Sequence, residues 1–82
     1  MPKTPKKEVK DPKTHWYAVK DLLVLIAERA GKARGDVVIA YEEDISVYAV
    51  RQWLSRPIPR KHWKIMARLS GLTMDQIEKI AL

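Results

Sequence analysis

The chain contains no cysteine, so neither a disulfide nor a thiolate-bound metal supports its fold. Its two histidines, His15 and His62, stand far apart in sequence and give no metal-ligand spacing. No glycine-rich phosphate loop is present, and no nucleophile sits in a recognisable turn. The carboxylates are not paired at helical spacing as an acid and a base. The sequence therefore predicts no catalytic residue, no metal ligand and no cofactor, and the chain reads as a non-enzyme. Long apolar runs are missing too. The longest, residues 22–27, is far too short to span a bilayer. The N-terminus is basic but has no apolar stretch behind it, so no signal peptide is expected. A soluble, cytoplasmic protein is the expectation, with no membrane partner. No segment alternates apolar and polar residues as a strand would, and no internal repeat is visible.

What is present is helical periodicity and positive charge. Eighty-two residues suffice for one small domain with a core of modest stability. Residues 1–10 are rich in Lys and Pro and nearly devoid of apolar side chains, which predicts a disordered arm over 1–11 ahead of a domain at 12–82. Asp11-Pro12 resembles a helix start. Trp16, Val19, Leu22, Leu23, Ile26, Ala27 and Ala30 then recur at helical spacing, and Gly31 is a stop. Residues 32–35 read as a linker and Asp36 as the start of a second helix, with Val37, Ile39 and Ala40 on its buried side. A turn at 44–46 follows, then a third helix from Ser46 to about Ser55, blocked by Pro57. A fourth helix is expected from Ile58-Pro59, with Trp63, Met66 and Leu69 on one face, ending at Gly71. Thr73 and Gln76 fit a capping box that opens a fifth helix carrying Met74, Ile77 and Ile80. The expected fold class is all-α: a five-helix domain containing a helix-turn-helix.

The net charge of +6 is unevenly spread. Between positions 51 and 68 lie Arg51, Arg56, Arg60, Lys61, Lys64 and Arg68 with no acidic residue, and five lysines fall in the first fourteen residues. Such segregation favours a polyanionic partner. Residues 36–55 say how it would be met. Ala40 is a small residue where two helices approach, and Asp44 tolerates a left-handed turn. Ile45, Val50 and Trp53 pin the third helix inward, its inner stripe being Val47, Val50 and Leu54 or Trp53. Ser46, Tyr48, Arg51, Gln52 and Ser55 then face outward. Arginine presents two donors to guanine, glutamine presents a donor and an acceptor to adenine, and Ser46 at the helix start suits a phosphate. Arg60, Lys61 and Lys64 oppose the dipole at the start of the fourth helix, an arrangement eased by phosphates beside them. The expected base contacts are thus on the third helix. Phosphate contacts are expected from Arg56, Arg60, Lys61 and Lys64. Trp53 and Trp63 are expected in the core, His62 at the surface or as a cap, and Trp16, Tyr17 and Tyr41 as packing or rim residues. The acidic run 42–44 is expected to be a solvated helix end.

These residues resemble the lambda-repressor and Cro-like helix-turn-helix superfamily. The run Trp53-Leu54-Ser55-Arg56-Pro57-Ile58-Pro59-Arg60-Lys61-His62-Trp63 is similar to the phage-associated carph-isopro subgroup, which is related to YdaS-like regulators. The resemblance implies a five-helix domain that binds double-stranded DNA operators, usually as a homodimer, to regulate transcription. Its groove-facing positions fall on Ser46, Val47, Tyr48, Arg51, Gln52 and Ser55. Asp44 stands where that family's turn commonly has Gly, and Asp36 where a phosphate-binding Gln often opens the second helix. RNA polymerase is a further expected partner, and Met74, Ile77, Ile80 and Leu82 either form a dimer contact or close the monomer core. Two other classes fit the same charge: a protein-interaction module of antitoxin or adaptor type, and a nucleic-acid binder without sequence preference.

Overall fold

The structure, a computed structural model, describes residues 12–82. The arm expected over 1–11 lies outside the described residues. Five α-helices follow one another, α1 (Pro12–Ala30), α2 (Gly35–Glu43), α3 (Val47–Arg51), α4 (Trp63–Ser70) and α5 (Met74–Ala81), with 3₁₀ turns at Gln52–Leu54 and Arg60–His62. No strand occurs among the described residues. The all-helical class expected from the missing alternation is the one observed.

Helix α1 is the spine. Val19, Leu22 and Ile26 recur at the spacing that stacks side chains on one helical face, and all three are buried. They meet Ile39, Val50, Trp53, Ile58, Trp63, Met66 and Ile77 in a single core drawn from every helix. The helix stops where Gly31 takes φ +69°. There the Lys32 N–H donates to Ala27 O (2.9 Å) and the Gly31 N–H to Glu28 O (3.2 Å), the Schellman pair that satisfies a helix's last carbonyls.

Gly35 departs from the linker role expected of it. It is the first residue of α2 and is buried against α1. A Cβ placed there would lie 2.0 Å from the carbonyl oxygen of Leu23, so the start of α2 rests directly on the α1 backbone. Ala40 is buried as expected, and Gly35 is a further close approach between helices. Val37, expected on the buried side of α2, is exposed.

The chain then turns through Asp44 at φ 55°, ψ 49°. The Ile45 N–H donates to Ala40 O at 3.0 Å, and Ile45 packs against the core. This repeats the device that ends α1, with Asp in the left-handed place that Gly usually takes. Helix α3 keeps α-geometry only to Arg51, and residues 52–54 tighten into 3₁₀ form. Helix four also begins later than expected. Pro59 precedes the 3₁₀ turn, and α4 starts at Trp63. The cause is Ile58, whose N–H donates to Ala81 O (3.0 Å) and whose carbonyl accepts from the Trp63 indole (2.8 Å). Both of its backbone groups are engaged outside any helix. Gly71 ends α4 at φ 80°, and the Thr73–Gln76 capping box opens α5 as expected. On α5, Ile77 and Ile80 pack in the monomer core, leaving only Met74 and Leu82 exposed from the expected dimer set.

The two glycine sites give a contrast that thermal unfolding can check. Gly35→Ala should cost ~3 kcal/mol or more, because the clash is with backbone that cannot rotate away. Gly31→Ala meets open space and should cost only about 1–2 kcal/mol, the strain of its left-handed backbone.

Candidate nucleic-acid interface

Helix α3 has five residues, and its orientation is set by what surrounds it. At its start the Ser46 Oγ accepts from the Ala49 N–H at 3.0 Å, a cap that leaves the hydroxyl proton free to donate. Val50 and Trp53 are buried on the inner side. Beyond it, the carbonyls of Trp53, in the 3₁₀ turn, and of Arg56, in the loop that follows, take a donor from α1. His15, buried on α1, meets both with Nε2 at 2.9 Å each. Two carbonyl partners require a hydrogen on Nε2, and Nδ1 is buried without a partner. Sequence reasoning gave His15 no role. Its position one residue before Trp16 was the only local signal, and the partners lie about forty positions away.

This scaffold leaves one face open. Tyr48 is 72% exposed, Arg51 and Ser55 are exposed, and Gln52 is half-buried. Val47 is half-buried and packs against the core, so it offers the least surface of the six groove-facing positions. Ser55 Oγ donates weakly to Gln52 O at 3.3 Å. Tyr48, Arg51, Gln52, Ser55 and Arg56 share a shallow cleft with Trp16 of α1, and no acidic side chain lines it. Trp16 was expected at the rim, and that is where it stands.

Arg60, Lys61 and Lys64 are also exposed but lie apart from that cleft, on the second 3₁₀ turn and the first turn of α4. The Arg60 guanidinium lies over the Trp63 ring, 4.6 Å from its centroid, which orders the cation without neutralising it. His62 corrects another expectation. It is buried, its ring is 4.9 Å from Trp53, and its Nδ1–H donates to Glu43 Oε1 at 2.5 Å. The turn bearing Arg60 and Lys61 is thereby packed onto the end of the α3 segment. The acidic run 42–44 is likewise more than a solvated end: Glu43 is held by His62, and Glu42 faces Arg68 at 3.5 Å. Asp36 is buried and bonded by Arg34 through both carboxylate oxygens (3.2 and 2.8 Å). An anion so engaged does not act as a phosphate clamp. Among the described residues no group of His, Cys, Asp or Glu is placed to hold a metal ion, and no helix is long and apolar enough to cross a membrane.

Compared with protein-family models, curated proteins and solved structures, the chain matches none. The site is therefore read from its own chemistry.

The role of His15 has a measurable consequence. His15→Leu roughly keeps the volume but strands the buried Trp53 carbonyl and the part-buried Arg56 carbonyl, and should cost ~1–3 kcal/mol. Amide exchange should accelerate first in residues 53–56, before α4 and α5.

Proposed function

We propose that the chain is a non-enzymatic regulator that binds double-stranded DNA with sequence preference. The observation that carries this is the exposed face of Tyr48, Arg51, Gln52 and Ser55, backed by buried Val50 and Trp53 and free of carboxylates. It combines donors and acceptors for base edges with the charge that draws a duplex. In this reading the α2–turn–α3 unit is a helix-turn-helix. Its α3 segment enters the major groove, with Tyr48, Arg51 and Gln52 touching bases. Arg56, Arg60, Lys61 and Lys64 neutralise phosphates and supply most of the affinity. Ser46 adds a donor at the helix start.

One such domain covers few base pairs, so the proposal includes a homodimer on two half-sites roughly 34 Å apart. A protein with this role works at the nucleoid. The resemblance noted in the sequence adds a phage or mobile-element setting and contact with RNA polymerase to the proposal.

A protein-interaction module is the second reading, favoured by Tyr41, 85% exposed on α2 beside the exposed Val37. Selection from a random duplex library separates the two. The first yields one enriched inverted repeat, and the second yields salt-labile retention without enrichment.

On the enriched duplex, Arg51→Ala should cost ~1–3 kcal/mol and relax preference at one base pair. Lys61→Ala should weaken every sequence alike and lower the salt slope by about one. Equal effects of Arg51→Ala on enriched and random duplexes count against base readout.

A further inference from the structure

Trp16 is the residue on the open face that the proposed contacts leave unused. It is 38% exposed, while the other two tryptophans, Trp53 and Trp63, are 6% and 3% exposed. It belongs to α1, yet it lines the same cleft as Tyr48, Arg51, Gln52 and Arg56, a cleft of about 590 Å³. The indole is held in place from two sides. Lys20 Nζ lies 5.5 Å from its centroid, and the Tyr17 ring meets it edge-on at 5.1 Å and 89°.

We infer that Trp16 is part of the DNA-binding surface and packs against the deoxyribose-phosphate backbone beside the base pairs that α3 reads. The inference rests on the duplex-binding function proposed above. Three features carry it. A flat apolar ring among cations, with no carboxylate in the cleft, matches the alternation of sugar and phosphate along a strand. Arg56, which lines the cleft, and Lys20, 5.5 Å from the ring centroid, supply the charge for the flanking phosphates. Lys20 over the ring leaves the indole without two open faces, which favours a sugar laid against it over a base stacked upon it. The cleft also fixes where this contact falls: next to Arg51 and Gln52, so a strand leaving the base-reading residues passes over α1. Such a contact sets register and affinity without carrying sequence information.

Because Trp53 and Trp63 are buried, acrylamide quenching of tryptophan emission reports chiefly on Trp16. Trp16→Phe should remove the quenchable component, which verifies the readout. The full chain is titrated with the enriched duplex, with a random duplex at low salt, and with one strand of each. The expected result is protection of Trp16 by both duplexes and weaker protection by single strands. Trp16→Ala should weaken both duplexes alike by roughly tenfold, as a backbone contact does. A duplex that binds while Trp16 stays fully quenchable overturns this inference and leaves the proposed function standing. Equal protection by single strands also overturns it, in favour of base stacking. Failure of every duplex to bind overturns the proposed function itself.

Discussion

A five-residue α-helix cannot hold itself together in water. Forming the first turn fixes several residues for a single hydrogen bond, and isolated helices shorter than ~12–15 residues are marginal even with favourable sequences. Helix α3 has five residues, so its existence and its direction depend on restraints from outside. Asp44 turns the chain, Ser46 caps the start, Val50 and Trp53 anchor the inner side, and His15 ties down the carbonyls of Trp53 and Arg56 just past the helix. Removing any one leaves a segment with too little internal cohesion to keep Arg51 and Gln52 aimed. A helix oriented by four separate fixings is rigid, and rigidity limits the ordering cost of binding.

How far the sequence revealed this depends on the range of each restraint. Asp44, Ser46, Gly71 and the Thr73–Gln76 box act within five residues of themselves, and each signature could be read directly. Periodicity was equally clear where a helix is long, so the buried face of α1 followed from spacing. The contacts that escaped notice join distant positions. His15 to Arg56, His62 to Glu43 and Gly35 to Leu23 span 41, 19 and about a dozen residues. A glycine required by another helix's backbone looks like any loop glycine until that helix is in place. Nor does a histidine serving two carbonyls announce itself in composition. The outward set on α3 was legible because burial of Val50 and Trp53 determines it; spacing puts Val47 on the same inner stripe, where it packs against the core, and only the resemblance gave it a groove-facing place.

Charge on the molecule is arranged by the same contacts. Exposed ion pairs contribute little stability, typically under ~1 kcal/mol, so Glu42 with Arg68 matters less for energy than for placement. Glu43 is drawn to His62, and Asp36 to Arg34. Asp36, Glu42 and Glu43 are thereby engaged with neighbours, and Arg51 and Arg56 stand in a cleft that no carboxylate lines. The charged side chains that line that cleft are all cationic, which suits the anionic partner proposed above.

The change from α to 3₁₀ geometry refines which side chains can read. In an α-helix successive residues advance by 100°, but at three residues per turn positions i and i+3 eclipse. Gln52 and Ser55 therefore fall in one row along the segment, and the Ser55 hydroxyl is already directed at the Gln52 carbonyl. Tyr48 and Arg51 lie within the α-helical part, three residues apart and on the same face. Two reading rows result instead of one continuous stripe. The first row carries the exposed, longer side chains, those that project farthest from the surface. The second is half-buried at Gln52 and shorter at Ser55, so it meets only what is brought close. On the DNA-binding reading proposed above, discrimination is concentrated on Tyr48 and Arg51, and Gln52 would read a base only where a duplex seats fully against Trp16.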